Sequence, residues 1–197
     1  MNYLCNNIHM ARKKSFRIYF NAPITLTFVG ICFLALLLDF LTDGSSTYYV
    51  FSTYGSNLLN PLTYVRLLCH VFGHDGLSHL LSNLLYILLL GPILEEKYHD
   101  RLWIVIVTTA ITTGILHNIF EPNVILLGSS GIVFAFILLA SITGKENGIP
   151  VTLILVALLW LGQEIVSSIN AADNISQITH IVGGLSGAIL GMVFKDR

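Results

Sequence analysis

The chain has 197 residues, 54% of them hydrophobic and only 11% charged, with a net charge of -1 and a mean hydropathy of +0.76. Soluble domains carry about 25% charged residues, so these figures exclude an ordinary soluble domain, and the lack of basic excess leaves no footing for a nucleic-acid partner. They describe a polytopic membrane protein with room for one helical bundle and no large soluble domain beside it.

A membrane crossing takes about 20 apolar residues, because about 30 Å of hydrocarbon is spanned at roughly 1.5 Å per residue. That ruler predicts six spans, at about 24–41, 77–94, 102–118, 126–143, 149–168 and 176–194. In lipid they must be helical, since open strand edges would leave backbone groups unpaired. The expected fold class is therefore an all-α membrane protein, a six-helix bundle over 24–194 with a short basic segment at 1–23 and a tail at 195–197. The first apolar run is not followed by a small-residue cleavage site and reads as a retained span. Cys5, Cys32 and Cys69 are unclustered and suggest neither a disulfide framework nor a zinc signature.

Arg12, Lys13, Lys14 and Arg17 precede the first span, Lys97 and Arg101 separate the second from the third, Lys145 separates the fourth from the fifth, and Lys195 and Arg197 follow the sixth. All of these fall on one face of the membrane, and only Arg66 falls on the other. The positive-inside rule then predicts that both termini are cytoplasmic. The longest connection, about 42–76, mixes Gly44, Gly55, Asn60 and Pro61 with Tyr48, Tyr49, Phe51, Tyr54 and Tyr64. It reads as a compact structure in the outer interface, aromatic side chains at headgroup level.

Polar side chains inside spans are costly and usually face the bundle interior. Ser130 lies fifteen residues before Lys145, His180 fifteen before Lys195, and Asn83 fourteen before Lys97. At helical rise all three stand about 21–22 Å above the cytoplasmic boundary. His79 is one turn above Asn83 on the same face. Below His180, Gly183, Gly187 and Gly191 form a smooth strip of the kind that lets membrane helices approach closely. If the partner is the fourth span, whose start carries Gly128 and Gly131, a hydroxyl and an imidazole meet. Histidine is the usual base for an otherwise weak serine nucleophile. Ser130 also stands near a helix start, where unpaired N–H groups, with Asn83 or His79, can stabilise an oxyanion. Ser129 is the competing hydroxyl, about 100° round the helix from Ser130.

At these residues the sequence resembles the rhomboid family of intramembrane serine proteases. Gly128-Ser129-Ser130-Gly131 matches the family's G-x-S-G, His180-x-x-Gly183-x-x-x-Gly187 its histidine and glycine strip, and His79-x-x-x-Asn83 its second-span pair. The resemblance runs from about Tyr64 to Gly191 and includes the six-span layout. It implies hydrolysis of peptide bonds in or beside a transmembrane segment of a membrane-protein substrate by a Ser130–His180 dyad without an aspartate. It also implies that His79, Asn83 and the Ser130 N–H are oxyanion partners, that Arg66 is the arginine of the interfacial first loop, and that Glu95 is the acidic residue closing the second span. No metal or organic cofactor is expected. Two positions depart from the pattern: Phe134 stands where tyrosine is common, and Val65 precedes Arg66 with the aromatic Tyr64 one place earlier.

Rival readings attach to the same residues. His70 and His74 are four apart, as in helical metal pairs, and Asp75 and His79 are close by, but no third ligand is well spaced; interfacial positions near the site mouth suit them better. His117 and Asn118 also read as interfacial, and Glu164 as a gate or a snorkelling residue. For the whole chain, an inactive rhomboid relative that binds membrane proteins would be expected to lose the serine or the histidine. A transporter would show paired charges or repeated half-helices near the midplane. The setting that fits the short basic N-terminus is a bacterial inner membrane, with the site toward the non-cytoplasmic face and a water-filled cavity capped by the loop at about 170–175.

Overall fold

The computed structural model describes residues 18–142, 149–170 and 175–195. The cations at 12–17, Lys145 and the loop residues 171–174 lie outside these, as does the side chain of Glu164. The helices are α1 (Pro23–Leu41), α2 (Ser45–Tyr49), α3 (Pro61–Cys69), α4 (Gly76–Tyr98), α5 (Arg101–Phe120), α6 (Ser130–Ser141), α7 (Val151–Asn170) and α8 (Ile175–Lys195), with a single 3-10 turn at His70–Phe72. Among the described residues there is no strand, only an isolated bridge between Thr53 and Leu126.

Among the described residues, three helices, α1, α4 and α5, are long and apolar enough to cross a membrane by length and composition. Helix α6 is different. It has 12 residues, about 18 Å at helical rise, and it is apolar all round, with Ile132, Val133, Ala135, Phe136, Leu138 and Leu139 buried. A short helix with no polar face belongs in the middle of a bundle, and α6 indeed packs against α4, α5, α7 and α8. The 126 start expected from hydropathy is four residues too early. Leu126 is spent on the bridge to Thr53, exchanging N–H···O bonds of 2.8 and 2.9 Å, and Gly128 adopts φ +116°, which a helix cannot continue through.

Helix α8 packs on α6 backbone to backbone. A methyl group on Gly183 would collide with the backbone of Gly131, and one on Gly187 with the backbone of Ala135. At Gly191 it would press on the Leu139 and Ile142 side chains, at 2.8 and 3.0 Å. The glycine strip is thus the surface through which two helix backbones touch, as small-xxx-small strips do.

Helix α1 is fixed by a different device. Its N-cap is Ala22, followed by Pro23, so the helix has no side-chain cap of its own. Glu95, near the end of α4 and 7% exposed, supplies it. One carboxylate oxygen accepts from Ile24 N at 2.8 Å, and the other accepts from Thr25 N and Thr25 Oγ1, both at 2.9 Å. A carboxylate at a helix N-terminus satisfies orphan N–H groups and complements the dipole. Gly91, one turn earlier, makes room for Thr25, whose Oγ1 a methyl there would meet at 2.6 Å.

Two stability predictions follow from these contacts. Gly187→Leu is expected to lower the unfolding midpoint in detergent by an amount equivalent to about 3 kcal/mol, the upper end of overpacking costs, because backbone and not a side-chain tip must yield. Glu95→Ala is expected to cost roughly 2–4 kcal/mol by stranding buried donors, with Glu95→Gln falling between it and wild type; equal midpoints for all three would contradict the capping role.

Candidate active site

The first loop is built before the site is. Asn60 Oδ1 accepts from Leu62 N at 3.0 Å and caps α3, with Pro61 at its first position. Arg66 leaves α3 on its buried side, 3% exposed. Its Nη2 donates to Ser56 Oγ at 2.6 Å, and its guanidinium lies 4.5 Å from the Tyr54 ring centroid. This loop is then tied to the strand-like approach to α6 by the Thr53–Leu126 pair, by Gly55 N to Pro122 O at 2.8 Å and by His70 O accepting from Gly128 N at 3.0 Å. Thr53 and Asn118 exchange side-chain hydrogen bonds at 3.0 and 3.2 Å.

These ties present residues 128–130 as a sharp turn into α6. Gly128 is glycine for two reasons: its φ is in the left-handed region, and a Cβ there would lie 3.0 Å from His79 Cε1 and Nε2. Ser129 is the N-cap and Ser130 the first helical residue. Val133 N donates to Ser129 O at 3.0 Å, so the N–H groups of Ser130, Gly131 and Ile132 begin the helix with no carbonyl four residues back inside it. Ser130 is half-buried, whereas Ser129 is fully buried.

His180 is brought to the same level by α8. Its ring lies 4.5 Å from the Phe134 ring, centroid to centroid, one turn into α6. Its neighbour Thr179 is in van der Waals range of Gly131, since a methyl at Gly131 would lie 3.5 Å from Thr179 Cγ2. Three residues further along, Gly183 rests on the Gly131 backbone. Ser130 and His180 therefore belong to two helix turns in backbone contact, and Phe134, lacking the hydroxyl of a tyrosine, packs on the imidazole with the two rings tilted by 43°.

From the other side come His79 and Asn83. Asn83 Nδ2 donates to His79 O at 3.0 Å, one turn back on α4, as their spacing requires. Asp75 N donates to His79 Nδ1 at 3.4 Å. With Nδ1 an acceptor, the neutral ring carries its proton on Nε2, the atom that faces Gly128.

The remaining histidines sit deeper than their sequence suggests. His70, His74 and His117 are 1, 1 and 2% exposed. His117 Nε2 donates to Val124 O at 2.9 Å. His70 Nδ1 donates to Leu67 O at 3.1 Å, and its Nε2 lies 3.4 Å from Thr113 Oγ1. His74 Nδ1 donates to Phe72 O at 3.1 Å, and its Nε2 lies 3.2 Å from Ser129 Oγ. His70 and His74 thus point their outer nitrogens at different hydroxyls and do not converge as a metal pair would. Burial is the main force that pushes each imidazole down to about 4, assisted at His74 by neighbouring His79 and at His70, against two carbonyl contacts, by His117. Both rings are neutral at neutral pH.

Sequence reasoning missed the Ser129–His74 bond and the Glu95 cap. The second had a signal, an Ala-Pro helix start with no capping side chain; the first had none, because the partners are 55 residues apart.

The family model of the Rhomboid domain matches residues 61–197. Similar curated proteins include Rhomboid-related protein 1 of Caenorhabditis elegans, 31% identical over 141 residues, which are 65% of this chain and 39% of that protein. The Rhomboid protease GlpG of Serratia proteamaculans is 26% identical over 181 residues, 88% of this chain and 63% of that one. The Rhomboid protease GlpG of Yersinia pseudotuberculosis is 28% identical over 145 residues, 71% and 51% respectively. The chain spans less than two thirds of the length of each of these relatives. With its glycine-packed helices and a family match covering most of its length, the chain belongs to the rhomboid family of integral membrane proteins.

Proposed function

We propose that the protein is an intramembrane serine endopeptidase that cleaves membrane proteins in or near their transmembrane segments through a Ser130–His180 dyad. The observation that supports this reading is the seating of the His180 ring on Phe134 while Gly183 rests on Gly131, an imidazole beside the helix that begins with Ser130. Two relatives carry the name of a rhomboid protease, which supports the same reaction class.

In the proposed reaction Ser130 Oγ attacks the scissile carbonyl as its proton passes to His180. The carbonyl π pair moves to oxygen, and the Ser130 N–H, the His79 Nε2–H and the Asn83 amide supply donors for that charge. His180 then gives its proton to the leaving amine as the C–N bond breaks. A water, deprotonated by His180, hydrolyses the acyl-enzyme and returns the proton to Ser130. Phe134 holds the ring by packing, in place of an orienting carboxylate. Every group in the scheme is a side chain, a backbone N–H or water.

The proposed setting is a six-span catalytic domain over 24–194 with the 1–23 and 195–197 segments cytoplasmic, in a bacterial inner membrane with the site toward the non-cytoplasmic face. The basic residues on one side and the aromatic first loop on the other support it. The second reading, an inactive relative that binds membrane proteins, is disfavoured because both Ser130 and His180 are retained with a donor-rich surround.

The test is cleavage of a single-span reporter, with helix-destabilising residues near its outer end, by purified protein in detergent. Ser130→Ala and His180→Ala are each expected to lower kcat by at least ~10³-fold with the unfolding midpoint retained. Asn83→Ala is expected to lose about 10²-fold in kcat, the usual scale for one oxyanion donor. Cleavage that survives unchanged in Ser130→Ala would overturn the assignment.

A further inference from the structure

Ser129 is the N-cap of α6, and a serine there ordinarily turns its oxygen back onto the N–H groups at the second and third helical positions. Here it makes no such bond. Its oxygen lies 3.2 Å from His74 Nε2 instead. The direction of that bond can be worked out. Phe72 O only accepts, so His74 Nδ1 carries the ring proton. The ring is neutral, held down to about 4 chiefly by burial, so Nε2 is an acceptor and the Ser129 hydroxyl donates to it. That hydroxyl, with no exposed surface, is committed to a residue of the first loop.

We propose that His74 is a positioning residue of this enzyme: by taking the Ser129 hydroxyl it keeps the α6 N-terminus uncapped and fixes the turn that aims the Ser130 Oγ and N–H at the substrate carbonyl. Two bonds then hold residues 128 and 129 to the same segment, His70 O with Gly128 N at 3.0 Å and His74 Nε2 with Ser129 Oγ. The first is backbone and holds for any sequence; the second depends on a serine beside the nucleophile and a histidine opposite. Without the pair, Ser129 is free to rotate onto the Gly131 or Ile132 N–H, and the turn that carries Ser130 loses its second anchor. His74 touches neither substrate nor nucleophile, so its effect falls on the chemical step and not on substrate binding.

The inference rests on the protease reading, and the experiment separates the two. Steady-state cleavage of the same reporter is measured for Ser129→Ala, His74→Phe and the double variant, with Ser130→Ala as control. Each single variant is expected to lower kcat roughly ten- to hundredfold, the scale of a misplaced reacting group, with KM within twofold of wild type. The double variant is expected to be no slower than the slower single, because both remove one bond. Independent, multiplying losses, or a change in KM alone, would overturn the inference. If His74→Phe does not fold, Ser129→Ala decides by itself, since it removes a single oxygen: wild-type kcat overturns the proposal, a lowered kcat at unchanged KM supports it. Cleavage retained in Ser130→Ala defeats the protease reading; Ser130→Ala inactive with Ser129→Ala at wild-type kcat defeats only the positioning role.

Discussion

The approach of α8 to α6 through Gly183 and Gly187 is the constraint on which the rest of the structure depends. With side chains at those positions the two backbones would stand further apart, and the His180 ring would no longer rest on Phe134. In lipid no hydrophobic force draws helices together, so contact has to come from packing of backbone on backbone. The residues that make it possible carry no chemistry themselves. They set the separation between the helix that begins with Ser130 and the helix that carries His180.

The first loop answers a second constraint, that the helix carrying Ser130 begins among the other helices of the bundle. A helix start inside a membrane protein exposes N–H groups that lipid cannot satisfy. The chain meets this by laying the segment at 51–56 against 122–126, and by using His70 O and the Ser129–His74 pair around residues 128–130. His79 approaches this turn at Gly128, on the side where the proposed reaction develops negative charge. At the opposite end of the molecule the same problem has a static solution. Glu95 from α4 caps α1, and nothing is left over there for a substrate.

Much of this was legible in the amino-acid sequence, for physical reasons that differ from residue to residue. The spacing of Gly183, Gly187 and Gly191 matches the helical repeat, so a packing strip follows from the sequence alone. Fifteen-residue offsets from Lys145 and Lys195 lead to the expectation that Ser130 and His180 share one depth, and the Phe134–His180 ring contact is in keeping with it. His79 and Asn83 lie one turn apart on the same face for the same reason. What escaped was anything set by a turn or by long-range folding. Hydropathy cannot see that Leu126 is taken by Thr53 or that Gly128 has a positive φ, so the helix start was misjudged by a turn. Likewise the burial of His70, His74 and His117 follows from long-range packing that no local pattern shows. Arg66 was singled out as a loop residue, but its partners Ser56 and Tyr54 were not.

The most direct measurement of the central claim is where a reactive phosphonate attaches. Purified protein in detergent is treated with an activity-based phosphonate, digested, and the modified residue located by mass spectrometry, alongside the His180→Ala variant. The account predicts one adduct, on Ser130, that is lost when His180 is removed. An adduct on Ser129, or labelling of Ser130 that persists undiminished without His180, would contradict it.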